Sequence, residues 1–192
     1  MRRSNTSTYM MKGYIADSLL LLMRSQPYES ISIGEVTKRA GVNRSTYYRN
    51  FHSKDEVIMF VYNRIIEEYL TSIEASGEMP LQVYLEAMFT FFLKYKDSLM
   101  LIYHADVAHH ILSALNSIFT ADGVNLSVEE MFRIHYHTGG IYNTFLLWFD
   151  TGMSVSPKKL SAMSVSILPE GQRPMLKRSQ NHVKAQRKTL EE

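Results

Sequence analysis

A short run of polar side chains carries the clearest chemistry in this sequence. Its members are Arg44, Ser45, Thr46, Tyr48, Arg49 and Asn50. Nearly all of them donate hydrogen bonds and two are cationic, which is the combination that phosphates and base edges accept. The run therefore predicts a surface that contacts a nucleic acid, and simple solvation of the two arginines is the plainer alternative.

Apolar residues recur around this run at helical spacing. They are Val36, Ala40, Val42, Tyr47 and Phe51. This spacing suits two small helices that cross over a shared core. We predict helices at about 33–40 and 44–50, with Gly41 available for the turn and with Tyr47 and Phe51 packed inward. The pattern indicates a helix-turn-helix, whose second helix enters the major groove of DNA.

The rest of the chain is also predicted to be helical. Further helices are expected at about 8–25, from Ser53 to near Gly77, from Pro80 through Tyr95, from Asp97 through Tyr103, at about 107–119, from Ser127 to about Thr151, and from Ser156 through Met163. Three serine–glutamate pairs have the spacing of capping boxes: Ser32 with Glu35, Ser53 with Glu56, and Ser127 with Glu130. No alternating strand pattern of useful length is present, so the expected fold class is all-α.

Composition excludes several kinds of site. The chain has 192 residues and no cysteine, which excludes disulfides, thiolate metal sites and cysteine nucleophiles. No segment approaches the roughly 20 apolar residues of a spanning helix, so we expect no membrane insertion and a soluble, cytoplasmic protein.

Charge is distributed unevenly along the chain. Residues 1–64 contain ten Lys and Arg against five Asp and Glu, whereas residues 65–163 contain five against eleven. A basic front and an acidic middle indicate that only the front faces a polyanion. We expect a helix-turn-helix domain at 1–57, a helical regulatory and dimerisation domain at 58–163, and a flexible tail at 164–192.

The segment from Gly41 to Glu56 reads GVNRSTYYRNFHSKDE, and it resembles the signature of the DNA-binding domain of TetR-type transcriptional regulators. His52 departs from the signature, since many members have proline there. A weaker likeness, GGIYN at residues 139–143 followed by Trp148, resembles the subgroup that includes dihydroxyacetone kinase activators. The resemblance implies a dimer that binds double-stranded DNA at a near-palindromic operator, more commonly as a repressor, with activation as the alternative.

The expected DNA-binding residues come from both arguments. Arg44, Ser45 and Thr46 lie near the start of the second helix and are candidates for base contacts. The resemblance adds Tyr48 and Lys54 as phosphate ligands, with help from Thr8, Tyr9 and Lys38. The complete prediction is Lys38, Asn43, Arg44, Ser45, Thr46, Tyr48, Arg49 and Lys54.

The late helix is apolar on most of its sides, so most of its sides must be covered. A partner subunit is one cover, and burial in the core of a single chain is the other. Since TetR-type regulators dimerise through their last two helices, the predicted interface comprises Ile134, Ile141, Phe145, Trp148 and Leu160.

An effector cavity for a small molecule, or a contact for a protein effector, is expected from the resemblance. The predicted lining is Tyr84, Met88, Phe91, Tyr95, Tyr103 and Tyr142. The same residues could equally form a filled core.

Clustered histidines support a rival function. They are His104, His109, His110, His135 and His137. A small helical enzyme or metal-dependent sensor could use them, but their spacing does not place two ligands on one helix face. We predict no catalytic residue, no metal site and no cofactor. A protein adaptor that has lost DNA binding is a third possibility.

Overall fold

The computed structural model describes residues 2–73, 76, 79–119 and 127–167, and it describes side chains for 7–73, 76, 79–116 and 127–167. These residues form helices and no β-strand, which confirms the predicted all-α class. The helices are α1 (Arg2–Met23), α2 (Ile33–Ala40), α3 (Arg44–Asn50), α4 (Lys54–Ile73), α5 (Leu81–Leu93), α6 (Lys96–His104), α7 (His110–Phe119), α8 (Val128–Asp150) and α9 (Pro157–Ser166). A 3-10 turn, Tyr28–Ser30, lies between α1 and α2.

Local side-chain bonds determine where α2 begins and ends. The Ser32 hydroxyl accepts the Glu35 N–H at 3.2 Å, and the Glu35 carboxylate accepts the Ser32 N–H at 2.8 Å. This reciprocal pair satisfies donors that the first turn leaves free, and the bonds from Ser32 lower the pKa of Glu35. Gly41 ends the helix at φ 68°, a left-handed conformation that glycine adopts without steric cost.

The predicted capping box at the start of α4 forms only in half. The Ser53 hydroxyl accepts the Glu56 N–H at 3.1 Å. The Glu56 carboxylate, however, accepts the backbone N–H of His52 at 2.7 Å. Because proline has no N–H, histidine at position 52 is what makes this second bond possible. The third predicted box, Ser127 with Glu130, is fully formed at the start of α8.

The helix boundaries differ from the predicted ones by a few residues at several ends. The first helix begins at Arg2 and ends at Met23, and α7 begins at His110 instead of Val107. The last described turn of α4 ends at Ile73, so its predicted end near Gly77 lies outside the described residues. Helix α9 continues to Ser166 and so overlaps the first residues of the predicted tail, 164–192. The remaining predicted tail, from residue 168, lies outside the described residues.

One continuous cluster of buried side chains joins α1 to α9. Helices α1, α2 and α3, which we call the head, pack on one another, and α1 also packs against α4 and α6. Helix α4 continues into the rest of the chain, where it contacts α5 and α7, while α8 packs on α7 and α9 on α5. The first turn of α4 therefore lies where the head meets the remaining helices.

Three residues of the predicted dimer interface belong to this core. Phe145, Trp148 and Leu160 are 0%, 1% and 7% exposed in the single chain. The Phe145 ring lies 4.7 Å from that of Phe92, and the Trp148 ring lies 5.5 Å from that of Phe89. Helices of the same chain cover these three residues, which argues against their direct contact with a partner.

Candidate nucleic-acid interface

Helix α3 has two faces of different chemistry. Tyr47 and Phe51 are 0% and 2% exposed, which confirms that they pack inward. On the other side Tyr48 is 52% exposed, and Arg44 and Arg49 are exposed as well. The helix thus presents cationic and hydroxyl groups to solvent on a base of buried aromatic rings.

Asn43 begins this helix as its N-cap. Its Oδ1 atom accepts the Thr46 N–H at 2.7 Å and the Ser45 hydroxyl at 2.7 Å. An asparagine in this role satisfies a free donor of the first turn. Asn43, which was predicted to contact DNA, therefore has an internal task, and it also orients the Ser45 side chain.

The two arginines of α3 are placed differently. The guanidinium of Arg44 reaches across the start of α2, where a Cβ atom added to Gly34 would lie 2.9 Å from its Nη2 atom. The Arg49 Nη2 atom donates to the Thr46 hydroxyl oxygen at 3.0 Å. A side chain with one internal bond keeps further guanidinium donors for a phosphate or a base.

Lys54 is engaged inside the protein. Its ammonium donates to the carbonyl oxygens of Tyr28 at 2.5 Å and Ile31 at 2.9 Å, and it lies 4.4 Å from the centre of the Tyr28 ring. An ammonium has three donors, and the carbonyl oxygen of Glu29 lies 3.4 Å away as a further acceptor. This placement favours a structural role for Lys54 over the predicted phosphate contact.

Predicted residues outside α3 lie at the edges of the head. Lys38 is exposed in the last turn of α2. Thr8 is exposed, and Tyr9 is 44% exposed and donates its hydroxyl to Glu67 on α4 at 3.2 Å. Burial first, and then the Glu67 charge, raise the pKa of Tyr9 to about 12.

The outer face of α8 is apolar, and no other part of the chain that the structure describes covers it. Phe132, Tyr136 and Leu147 are 76%, 78% and 66% exposed. Gly140 lies between them on the helix, and no heavy atom of the described residues lies within 4 Å of the Cβ position that would be added there. We call these four residues the α8 outer face. The helical period in the sequence could have identified this stripe, but it could not show which of two apolar stripes the chain itself covers.

The predicted effector residues, as far as the structure describes them, differ in their burial. Tyr84 and Met88 are buried, while Tyr95, Tyr103 and Tyr142 are half-buried. A surface groove of about 420 Å³ lies beside the end of α4 and the outer side of α5. It is lined by Ser72, Val83, Glu86, Ala87, Thr90, Phe91 and Lys94, so Phe91 alone of the predicted lining contributes to it.

Tyr62 on α4 is a polar residue that sequence reasoning missed. It is 0% exposed, and its hydroxyl has no hydrogen-bond partner among the described residues. Burial first, and the neighbouring Tyr142 second, raise the pKa of this hydroxyl. Its position in an apolar helical period predicts only core packing, so no sequence signal marked it.

The described histidines do not assemble into a metal site. No group of three or more His, Asp or Glu side chains in the described parts of the chain could hold a metal ion. In the same parts, no helix combines the length and apolar composition needed to cross a membrane.

Comparison with known proteins agrees with the geometry of the head. Residues 15–59 match the family described as bacterial regulatory proteins, tetR family. An uncharacterized HTH-type transcriptional regulator of Bacillus subtilis, YxbF, is 22% identical over 151 residues, which cover 73% of this chain and 40% of the relative. The chain therefore matches less than half the length of this curated relative. The matched family and relative are transcriptional regulators, not enzymes.

Two solved structures share the fold over most of both chains. The dihydroxyacetone kinase operon activator DhaS has a TM-score of 0.50 at 18% identity, covering 82% of this chain and 93% of its own. Thermus thermophilus FadR, a TetR-family transcriptional repressor in complex with lauroyl-CoA, has a TM-score of 0.52 at 15% identity, covering 83% and 94%. At these identities, the likeness shows a common fold and does not assign a subgroup.

Proposed function

We propose that this chain, whose residues 15–59 match the tetR family of bacterial regulatory proteins, is a regulator of that type that binds double-stranded DNA through α3 and regulates transcription as a homodimer. This proposal rests on one observation: α3 exposes a cationic face on one side and buries aromatic rings on the other. Arg44 and Ser45 are the candidates for base edges, because they lie at the N-terminal end of the helix that enters the groove. Tyr48 and Arg49 are candidates for phosphates.

The first test is selection of bound duplexes from a random DNA pool with purified protein near 0.15 M salt. We expect an enriched inverted repeat whose half-sites are about one helical turn, 10–10.5 base pairs, apart. In a binding assay on the selected duplex, Tyr48→Phe should weaken binding to all sequences about equally if its hydroxyl contacts a phosphate. A pool without any enriched sequence, with and without cell extract, would refute sequence-specific binding.

We further propose that the α8 outer face is the contact between the two subunits. Phe132, Tyr136 and Leu147 form an exposed apolar stripe, and such stripes mark protein contacts when they are contiguous. Gly140 lets a second helix approach closely. Half-buried Ile134 and Ile141, from the predicted interface, lie on the opposite, inward side of α8, where Ile141 packs against the core.

Sedimentation of two matched variants tests this interface. Leu147→Glu places a charge in the proposed contact and should give monomers that keep the helical circular dichroism spectrum. Leu21→Glu changes another exposed leucine, 45% accessible on α1, and should remain dimeric. A dimer that survives Leu147→Glu and Tyr136→Glu together would exclude the α8 outer face.

We also propose a contact for an effector and a sign of regulation. A buried, unpaired donor such as the Tyr62 hydroxyl is where a ligand with a hydrogen-bond acceptor would gain most, and Tyr142 lies near it. An effector there would act by preferring one spacing of the two heads over another. We propose repression in the cytoplasm as the usual outcome, and the fold shared with the activator DhaS keeps activation as the alternative.

A substitution that removes only the hydroxyl group tests whether Tyr62 contacts an effector. Tyr62→Phe keeps the ring and removes the donor, so it should change the response to an effector without lowering stability. Addition of candidate compounds to the complex of protein and selected duplex, followed by anisotropy, measures the response. Equal responses in both proteins would exclude the Tyr62 hydroxyl as an effector contact.

A further inference from the structure

A series of polar contacts connects α7 with the head through the first turn of α4. The Tyr28 hydroxyl donates to Asp55 Oδ1 at 2.6 Å. His110 Nε2 lies 3.7 Å from the same oxygen atom. Tyr28 belongs to the turn that precedes α2, and His110 is the first residue of α7. A single carboxylate thus faces the head on one side and the C-terminal helices on the other.

The head end of this series is held firmly. Lys54, the residue before Asp55, donates to the carbonyl oxygens of Tyr28 and Ile31. Ile31 adjoins Ser32, which is the N-cap of α2. A shift of the first turn of α4 therefore moves the start of α2, and α3 packs directly on α2.

The α7 end is poised to change its charge. The Nε2 atom of His110 is buried and has no hydrogen-bond partner among the described residues. Burial first, and then His109, whose ring lies 4.2 Å away, hold the pKa of His110 below its usual value, while Asp55 acts in the opposite direction. Of the helices packed on α7, α4 supplies Asp55, and no described ionisable group of α8 contributes to this shift.

Protonation should alter the distance across this contact. A cationic imidazole and a carboxylate form a bond of about 2.7–2.9 Å, which is shorter than the present 3.7 Å separation. Closing the gap draws the start of α7 towards the first turn of α4. Since His110 is only 17% exposed at its side chain, water can compensate the new charge poorly and the carboxylate must do so.

We propose that His110 is a positioning residue for the head: through Asp55 and Tyr28 it couples the C-terminal helices to the helix-turn-helix, so that a proton on His110 changes the affinity for DNA. This inference rests on the proposed DNA-binding function. Asp55 is the shared acceptor, and Tyr28 transmits its position to α2.

The experiment measures dissociation constants for the selected duplex at pH 8 and pH 5.5 and constant ionic strength. The proteins are wild type, His110→Gln, Asp55→Asn and the double variant, with His104→Gln on α6 as the matched control. For each protein, the constant at pH 8 is divided by the constant at pH 5.5. We expect this ratio in wild type to differ from that in His110→Gln by about fivefold or more, which is the lower end of typical allosteric coupling. Asp55→Asn and the double variant should share the His110→Gln ratio, and the control should keep the wild-type ratio.

The outcomes separate the two hypotheses. If wild type binds DNA and its ratio of dissociation constants at the two pH values equals that of His110→Gln, the coupling is refuted and the proposed DNA binding stands. Wild type that binds no duplex at either pH would overturn the proposed function and the coupling with it. Thermal unfolding by circular dichroism verifies that each variant is folded. If His110→Gln does not fold, Asp55→Asn alone must abolish the wild-type pH effect, and a retained effect refutes the proposal.

Discussion

Helices α3 and α8 both bury aromatic rings on one side, but they expose opposite chemistry on the other. Helix α3 buries its Tyr47 and exposes Arg44 and Arg49, whereas α8 buries its Phe145 and exposes Phe132. A cationic outer face suits a polyanion, and an apolar one suits another protein surface. The inward faces hold each helix in place, and the outward faces determine its partner.

The two helices also differ in how their starting residues are used. Asn43 caps α3 and also binds Ser45, so the end that approaches DNA is ordered by a single side chain. The start of α8 is capped by the reciprocal Ser127 and Glu130 pair, away from the exposed Leu147. A substitution of the capping residue should therefore affect the proposed DNA contact of α3 more directly than the proposed subunit contact of α8.

The largest expected effect comes from the buried side of α8. Phe145→Ala should lower the free energy of unfolding by about 3–5 kcal/mol, because it leaves a cavity among packed rings. Phe132→Ala on the outer face is the matched control and should change the intrinsic stability of the subunit by about 0.5 kcal/mol or less. Urea unfolding at several protein concentrations separates subunit stability from dimerisation. Equal losses in both variants would contradict the assignment of the two faces.

On α3 the largest effect should be in specificity. Arg44→Ala should remove about 1–3 kcal/mol of discrimination at one base pair of each half-site, because a bidentate contact to guanine is lost. Competition between the selected duplex and single-base variants measures this. Arg24→Ala, an exposed arginine in the α1–α2 connection, should leave the base preference unchanged. A uniform loss across all sequences in Arg44→Ala would instead indicate a phosphate contact.

The cap of α3 should have a smaller effect. Asn43→Ala should lower the free energy of unfolding by about 1 kcal/mol, since it removes the side-chain acceptor of the Thr46 N–H. Asn43→Asp keeps an acceptor and should restore most of the stability. Thermal unfolding of the three proteins gives the comparison, and an unchanged stability in Asn43→Ala would show that the cap bond contributes little.

The smallest predicted change in stability is at Gly34. Gly34→Ala improves helix propensity by less than about 1 kcal/mol, and the new methyl group displaces the flexible end of Arg44. We therefore expect equal or slightly higher stability together with altered base preference. Unfolding and competition assays on the same variant test both parts. An unchanged preference would show that the position of Arg44 over α2 does not matter for readout.

Local patterns in the sequence predicted the head well. The starts of α2 and α3 and the inward Tyr47 and Phe51 depend on residues only a few positions apart, and the structure confirms them. The half-formed box at Ser53 was missed because Glu56 can reach either of two neighbouring N–H groups. Spacing alone does not distinguish between them.

Contacts between distant residues could not be predicted in the same way. Phe145 and Trp148 have the spacing of an interface, and their burial under α5 becomes evident only once the helices are packed. Tyr28, Asp55 and His110 lie far apart in sequence, and none of the three belongs to a spaced motif with the others.

By itself, the sequence determined that the chain is helical, that its N-terminal part forms a helix-turn-helix, and that α3 presents cationic donors. These properties follow from helical period, capping and local charge, all of which act within one or two turns. Only the tertiary structure decided which face of α8 remains exposed, why Lys54 is occupied, and that His110 meets Asp55. Such outcomes depend on which helices cover one another, because packing sets the burial of each side chain and the partners within its reach.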